Sequence, residues 1–109
     1  MELERMLKGL GEPTRLKIYQ SLLQRKHCVR SLSKKLGISE SAISQHLKLM
    51  KEAGLVYGEK YGYHTHYLPR QEAADFLAAQ FAAMQAASQA VDRSVTVCQC
   101  QYRKEEQAK

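Results

Sequence analysis

A mainly α-helical domain carrying one β-hairpin is the fold class this sequence predicts, and three observations predict it. Val29 to Lys48 reads as two short helices joined by a tight turn at Gly37, with Leu32, Leu36, Ile38, Ile43 and Leu47 spaced to close one small core. Residues 55–68 then change from helical spacing to aromatic and β-branched residues around a glycine-bearing turn. Amphipathic helical patterns precede and follow that unit, the last of them rich in alanine. Together these describe a winged helix-turn-helix that dimerises through its first and last helices.

Residues 2–9 form the first short amphipathic helix, with Leu3, Met6, Leu7 and Leu10 on one side. Gly11-Glu12-Pro13 stops it, and Pro13 suits the first turn of the next helix, where its missing N–H would have no helical partner. The second helix is expected to run to about Lys26, with Leu16, Ile18, Leu22 and Leu23 marking the buried side. His27-Cys28 joins it to the helix-turn-helix. There Gly37 supplies the backbone freedom the turn needs, and Ser39 or Glu40 can cap the following helix. On that helix Ile43, Leu47 and Met50 fall on one face at i, i+4 and i+7. The opposite face shows Ser41, Gln45 and Lys48 with Ser44 at its edge, and Ala42 counts among the expected contacts. Short or amide side chains suit base edges, and a cation suits phosphate, so this is the pattern of a DNA recognition helix. Gly54 offers it a left-handed cap.

Leu55-Val56-Tyr57 and Tyr63-His64-Thr65-His66-Tyr67-Leu68 are the expected strands, flanking Gly58-Glu59-Lys60-Tyr61-Gly62 and ended by Pro69. A hairpin directly after a recognition helix reads as a wing that meets phosphate or the minor groove, with Lys60 and Tyr61 as the contacts. For Tyr63 and Tyr67 the alternative is completion of the core. In residues 71–93, Leu77, Phe81, Met84, Ser88 and Val91 repeat at helical spacing, and nine alanines lie between Ala73 and Ala90. Small residues permit close helix approach, so this segment is expected to dimerise, packing with the first helix. One long helix covering its own domain is the alternative. From Val95 to Tyr102 apolar and polar residues alternate with period two, as in an extended strand. The expected division is a DNA-binding and dimerisation domain over 1–93 and a Cys-x-Cys tail over 94–109.

Charge supports the same reading. The 109-residue chain carries a formal net charge of +6 and a pI near 9.3. Between Arg15 and Arg70 there are 11 lysines and arginines against 3 acidic residues, a net of +8, whereas the flanks sum to −2. The basic excess therefore coincides with the helix-turn-helix and wing, and a polyanionic partner is expected. Lys34, Lys35, Lys48, Lys51 and Lys60 are the expected phosphate contacts. The sequence shows no nucleophile–base pair, phosphate-cradling glycine loop or paired carboxylates at usable spacing, so no enzymatic function is expected. It contains no secretory signal or membrane-spanning apolar run, which makes the cytoplasm the expected location. In that compartment Cys28, Cys98 and Cys100 stay mostly reduced and available for thiol chemistry or soft-metal binding.

Leu10-Gly11-Glu12-Pro13-Thr14-Arg15-Leu16-Lys17-Ile18 resembles the second-helix opening of the ArsR/SmtB metalloregulators. Cys28-Val29-Arg30-Ser31-Leu32 resembles the segment that carries their thiolate ligands. Ser41-Ala42-Ile43-Ser44-Gln45-His46-Leu47-Lys48 and Glu52-Ala53-Gly54-Leu55-Val56 resemble their recognition helix and wing entry. The resemblance covers roughly residues 3–92. It implies a homodimeric repressor that leaves an inverted-repeat operator when an inducer binds. Many metal-sensing members carry Cys-Val-Cys at the start of the third helix; here Arg30 replaces the second cysteine. The last helix has Asp75 but no histidine, and Asp92 follows near its end, so a zinc sensor of the carboxylate–histidine type is disfavoured.

The replacement donor set is Cys98-x-Cys100. In an extended segment, side chains at i and i+2 leave the same face, so both sulfurs can reach one ion. Adding Cys28 gives three soft thiolates, which suit arsenite or antimonite first and also cadmium or lead. The competing reading keeps the fold but makes the cysteines a redox or persulfide sensor. His27, next to Cys28, is a candidate fourth ligand or a solvated side chain. His64 and His66 share a strand face but sit in the wing, and His46 supports packing or a phosphate contact. A winged helix used only for protein interaction would expose acidic or apolar residues on the second helix of the motif, where Ser41, Gln45 and Lys48 stand instead.

Overall fold

Capping chemistry sets the helix boundaries in the computed structural model, which describes residues 1–94 together with Cys98 and Cys100. α1 spans Leu3–Leu10 and α2 spans Pro13–Leu22. Glu12 caps α2, its carboxylate accepting the Arg15 backbone N–H at 2.8 Å, with Pro13 in the first turn. α3 spans Val29–Leu36 and begins at Cys28, whose sulfur accepts the Ser31 N–H at 3.4 Å. Gly37 closes α3 at φ +69°, a left-handed conformation that costs glycine little. α4 spans Glu40–Glu52, and Ser39 is its cap, accepting the Ala42 N–H at 3.2 Å.

β1 (Val56–Tyr61) and β2 (His64–Pro69) pair antiparallel, with Val56 opposite Pro69 and Tyr61 opposite His64. The strands therefore continue through Gly58 to Tyr61, and the turn is Gly62-Tyr63 alone, not the five-residue loop the glycines suggested. Gly62 makes so tight a reversal possible at φ +59°. The hairpin is also tied to the α2–α3 connection. Tyr67 donates its N–H to the His27 carbonyl at 2.8 Å, and His27 donates back at 3.4 Å. α5 spans Gln71–Gln89. The extended run expected from Val95 to Tyr102 lies outside the described residues, apart from Cys98 and Cys100.

Met6, Ile18, Leu32, Ile43, Leu47, Met50, Leu55 and Val56 are fully buried and join α1, α2, α3, α4 and the wing entry in one core. Each large aliphatic in it contributes about 1.5–3 kcal/mol relative to an exposed side chain. Leu36 and Ile38 pack against this core, as their spacing in the helix-turn-helix predicts. α2 differs from expectation in two respects. It ends at Leu22 rather than near Lys26, and Leu16 and Leu23 are exposed. Its buried stripe is Ile18, Tyr19 and Leu22; Leu16 sits two residues from Ile18, about 200° around the helix, and falls outside it.

α5 enters the core through Ala73 and Leu77, with Phe76 half-buried against it. From Phe81 onward its side chains stand in solvent, including Met84. Leu7 of α1 and Val91 beyond α5 are exposed as well. Among the described residues no helix is long and apolar enough to cross a membrane.

Candidate nucleic-acid interface

α4 sorts its side chains by face. Ile43, Leu47 and Met50 are buried, whereas Ser41, Ser44, Gln45, Lys48 and Lys51 are exposed and Ala42 is half-buried. The apolar stripe anchors the helix against α1, α2 and α3, so the polar face is presented rigidly outward. Lys34 and Lys35 are exposed on the last turn of α3, where cations also complement the helix dipole. Lys35 additionally donates to the Gln24 side-chain carbonyl at 3.3 Å. Lys60 is exposed on β1. A groove of about 400 Å³ runs between α4 and the wing, and Ser44, Lys48, Lys51 and Tyr67 are among the residues lining it.

Tyr61 is half exposed, with one side of its ring occupied. The Lys26 ammonium lies 4.6 Å from the ring centroid and 3.5 Å from the hydroxyl, and the His66 ring stands 5.0 Å away. Lys26 is a basic residue at this surface that sequence spacing did not single out, because the contact crosses 35 positions of chain.

Arg15 is a second basic residue whose role sequence spacing does not single out, since its guanidinium reaches two other helices. Its Nε donates to the Gly9 carbonyl at 2.8 Å and its Nη2 to the Lys8 carbonyl at 3.3 Å, capping the C-terminal end of α1. Its Nη1 lies 3.4 Å from Nδ1 of His46 on α4, and His46 in turn lies 4.0 Å from the Glu12 carboxylate. The Arg15 backbone N–H is the main cause that holds Glu12 below the usual carboxylate range; the charges of His46 and Arg15 act in the same direction and desolvation opposes them. The readable signal for Glu12 was Pro13, which marks the residue before it as a helix cap.

The expected thiol ligands fall in two places. Cys28 is half-buried at the start of α3 and borders a cleft against the wing with Arg30, Glu40 and Thr65. Cys98 and Cys100 are exposed. The Cys100 thiol and its backbone N–H both donate to the Cys98 sulfur, which holds the Cys98 thiol below its ordinary value, and the same contact raises that of Cys100. These two sulfurs are thus adjacent. Cys28 does not join them within one chain: among the described residues no three His, Cys, Asp or Glu side chains are gathered to hold a metal. His27 is buried, with Nδ1 2.5 Å from Ser31 Oγ and Nε2 without a hydrogen-bond partner among the described residues. Burial first, then the charges of Lys35 and Arg25, lower its pKa below 6.5. His64 and His66 share a wing face.

Comparison with known proteins places this geometry. The pattern of the bacterial regulatory proteins of the arsR family matches residues 12–57, the stretch from the α2 cap through the wing entry. A solved structure described as "Possible transcriptional regulator for arsenical resistance" superposes with a TM-score of 0.66 at 30% identity, covering 84% of this chain and all of that one. The chain belongs to the arsR family. This is a family of transcriptional regulators rather than enzymes. The HTH-type transcriptional repressor SmtB of Mycobacterium tuberculosis is 37% identical over 62 residues, 57% of this chain and 46% of that protein. The match thus spans about half the length of that curated relative. A third similarity is to the homodimeric winged helix-turn-helix DNA-binding domain of a possible ArsR-family regulator from Mycobacterium bovis, with a TM-score of 0.63 at 26% identity over 80% of this chain and 78% of that one. The mainly helical fold with a hairpin wing is therefore that of the arsR family.

Proposed function

We propose that this chain is a cytoplasmic, homodimeric DNA-binding repressor that leaves a two-fold operator when a thiophilic ion binds its cysteines. The observation that carries the DNA-binding part is α4, with Ser41, Ser44, Gln45 and Lys48 exposed opposite fully buried Ile43, Leu47 and Met50. Ser41, Ala42, Ser44, Gln45 and Lys48 meet the major groove, while Lys34, Lys35, Lys51, Lys60 and the Tyr61 region meet phosphates. Pairing is supported by the exposed apolar residues Leu7, Phe81, Met84 and Val91, and by the homodimeric M. bovis relative. Residues 1–93 then bind DNA and dimerise, and 94–109 carry the sensing pair.

Cys98 and Cys100 suit a soft ion because their sulfurs are adjacent and Cys98 is shifted toward thiolate. The third sulfur is Cys28, reached across the dimer because it is remote within one chain. Three thiolates match the trigonal preference of arsenite or antimonite, with cadmium and lead as further candidates. Binding would then bias the dimer toward a form with the recognition helices mis-spaced for DNA. The arsenical-resistance description of one similar structure points the same way.

The adjacency of Cys98 and Cys100 also favours a second reading. A peroxide would oxidise the Cys98 thiolate to the sulfenic acid, and Cys100 would displace water to close a disulfide. The test uses a duplex selected by the wild-type protein from a random pool. Release by arsenite or antimonite at one ion per site, with loss of three reactive thiols, supports the ion. Release by peroxide with a disulfide that survives chelator supports oxidation. Cys98→Ser should abolish either response, and retention of arsenite release in Cys28→Ser would remove Cys28 from the site.

A further inference from the structure

β2 carries two histidines, His64 and His66, and their i, i+2 spacing sets them on one face of the wing, about 6.6 Å apart along the strand. Glu59 stands directly opposite His66 on β1, so the same face presents a carboxylate one strand away. The other two histidines of the chain are engaged elsewhere. His27 is buried against Ser31, and His46 lies beside Arg15 and Glu12. Among the described residues, by contrast, neither His64 nor His66 makes a side-chain hydrogen bond or ion pair, and neither does Glu59, although it is half-buried. His66 stands beside the Tyr61 ring, 5.0 Å between centroids, with its Nδ1 buried and without a partner among the described residues. Two imidazoles and a carboxylate on one face therefore have no protein group competing for them.

We propose that His64 and His66, joined by Glu59, form a site on the wing for a borderline divalent ion such as zinc or nickel, separate from the cysteines. Imidazole nitrogen suits these ions, and two imidazoles with one carboxylate is a set that zinc accepts with water completing the shell. The backbone does the positioning, because alternation along β2 and pairing with β1 aim all three side chains to the same side. No three ligating side chains are already gathered among the described residues, so the set closes by side-chain rotation, and that ordering keeps the affinity modest. Burial of Nδ1 leaves Nε2 of His66 to ligate. Lys26 opposes the ion, since its ammonium stands over Tyr61 on this face, but the side chain is exposed and its charge is screened. His64 also borders the cleft that holds Cys28, so thiols are removed in the test.

The test is calorimetric titration of zinc into the full chain carrying Cys28→Ser, Cys98→Ser and Cys100→Ser. This thiol-free protein should bind a single zinc ion per chain. In that background His64→Ala and His66→Ala should each weaken binding by about tenfold or more, and Glu59→Gln by roughly threefold. His64 is exposed, so its loss leaves packing intact and the test holds even if His66→Ala disturbs the wing. Copper(II) adds a readout that needs no histidine variant. As a paramagnetic probe it should broaden the amide resonances of Glu59 and of His64 to His66 before those of His27 and His46. Absence of zinc binding in the thiol-free chain, unchanged affinity in His64→Ala, or broadening centred on His46 overturns the site. Arsenite-triggered release from DNA, which belongs to the cysteine reading above, should persist in His64→Ala. Its failure in the wild-type protein would overturn that reading and leave the zinc titration of the wing as it stands.

Discussion

Arg15 of α2 reaches His46 of α4, Nη1 to Nδ1, at 3.4 Å. Because the same guanidinium donates to the carbonyls of Lys8 and Gly9, one side chain couples the end of α1 to the recognition helix. α1 carries part of the exposed apolar surface proposed for pairing, and α4 carries the proposed base contacts. The contact is therefore a physical link between the two surfaces.

Replacing Arg15 should separate those surfaces. Arg15→Ala leaves the α1 carbonyls to water and should cost about 1.5–3 kcal/mol in urea unfolding, the range for hydrogen bonds from a charged donor. Arg15→Lys should recover little, because an ammonium cannot present the planar fork that spans two carbonyls and an imidazole. Equal stability of Arg15→Lys and wild type would show that charge alone does the work.

His27 predicts a pH dependence of stability. Its pKa is lowered from 6.5 by burial and by Lys35 and Arg25. Below pH 6.5 the unfolded chain takes up a proton that the folded chain resists, so stability is full above that pH and falls as pH drops toward the lowered folded value. Denaturant titrations between pH 7.5 and 5 should show this loss, and His27→Asn should reduce the slope. Identical slopes in the two proteins would assign the loss to other groups.

Phe81 and Met84 predict the oligomeric state. Both stand in solvent on α5 of a single chain, after the helix has left the core at Leu77. A Phe81→Glu, Met84→Glu double variant should sediment as a monomer while keeping its helical circular dichroism, since neither side chain supports the core. It should also lose much of its operator affinity, because a two-fold site then engages one recognition helix at a time. A double variant that still sediments as a dimer would locate pairing elsewhere.

Lys48 and Gln45 should fail in different ways. Lys48→Gln should weaken binding to all duplexes alike and lower the salt slope by roughly one, whereas Gln45→Ala should weaken the selected duplex more than a mixed one. Base discrimination unchanged in Gln45→Ala would move sequence reading to its neighbours on α4.

Much of this molecule is legible in the residue order, and the reason is locality. The i, i+4, i+7 spacing of Ile43, Leu47 and Met50 is itself the statement of which face of α4 is buried, and it holds. Gly37 makes the turn of the motif through short-range chemistry, as expected, and of the two candidate caps, Ser39 and Glu40, it is Ser39 that caps α4. The α2 pattern shows where locality runs out. Four apolar residues suggested one wide stripe, yet only Ile18 and Leu22 of those four are buried, because the neighbours that choose the face come from α3, α4 and the wing.

Sequence by itself determined that this chain builds a basic helix-turn-helix followed by a hairpin, since periodicity, caps and charge act over a few residues at a time. Tertiary structure alone decided the rest. It moved the wing turn to Gly62-Tyr63, because cross-strand pairing carries β1 straight through Gly58 and leaves only Gly62 in the left-handed turn conformation. It brought Lys26 onto Tyr61 and Arg15 onto His46, contacts between residues 35 and 31 positions apart. And it set Cys28 apart from the adjacent pair Cys98 and Cys100 within one chain, which shared chemistry had grouped together. Residue type states what a side chain can bind, but only the path of the backbone between distant segments determines what it meets.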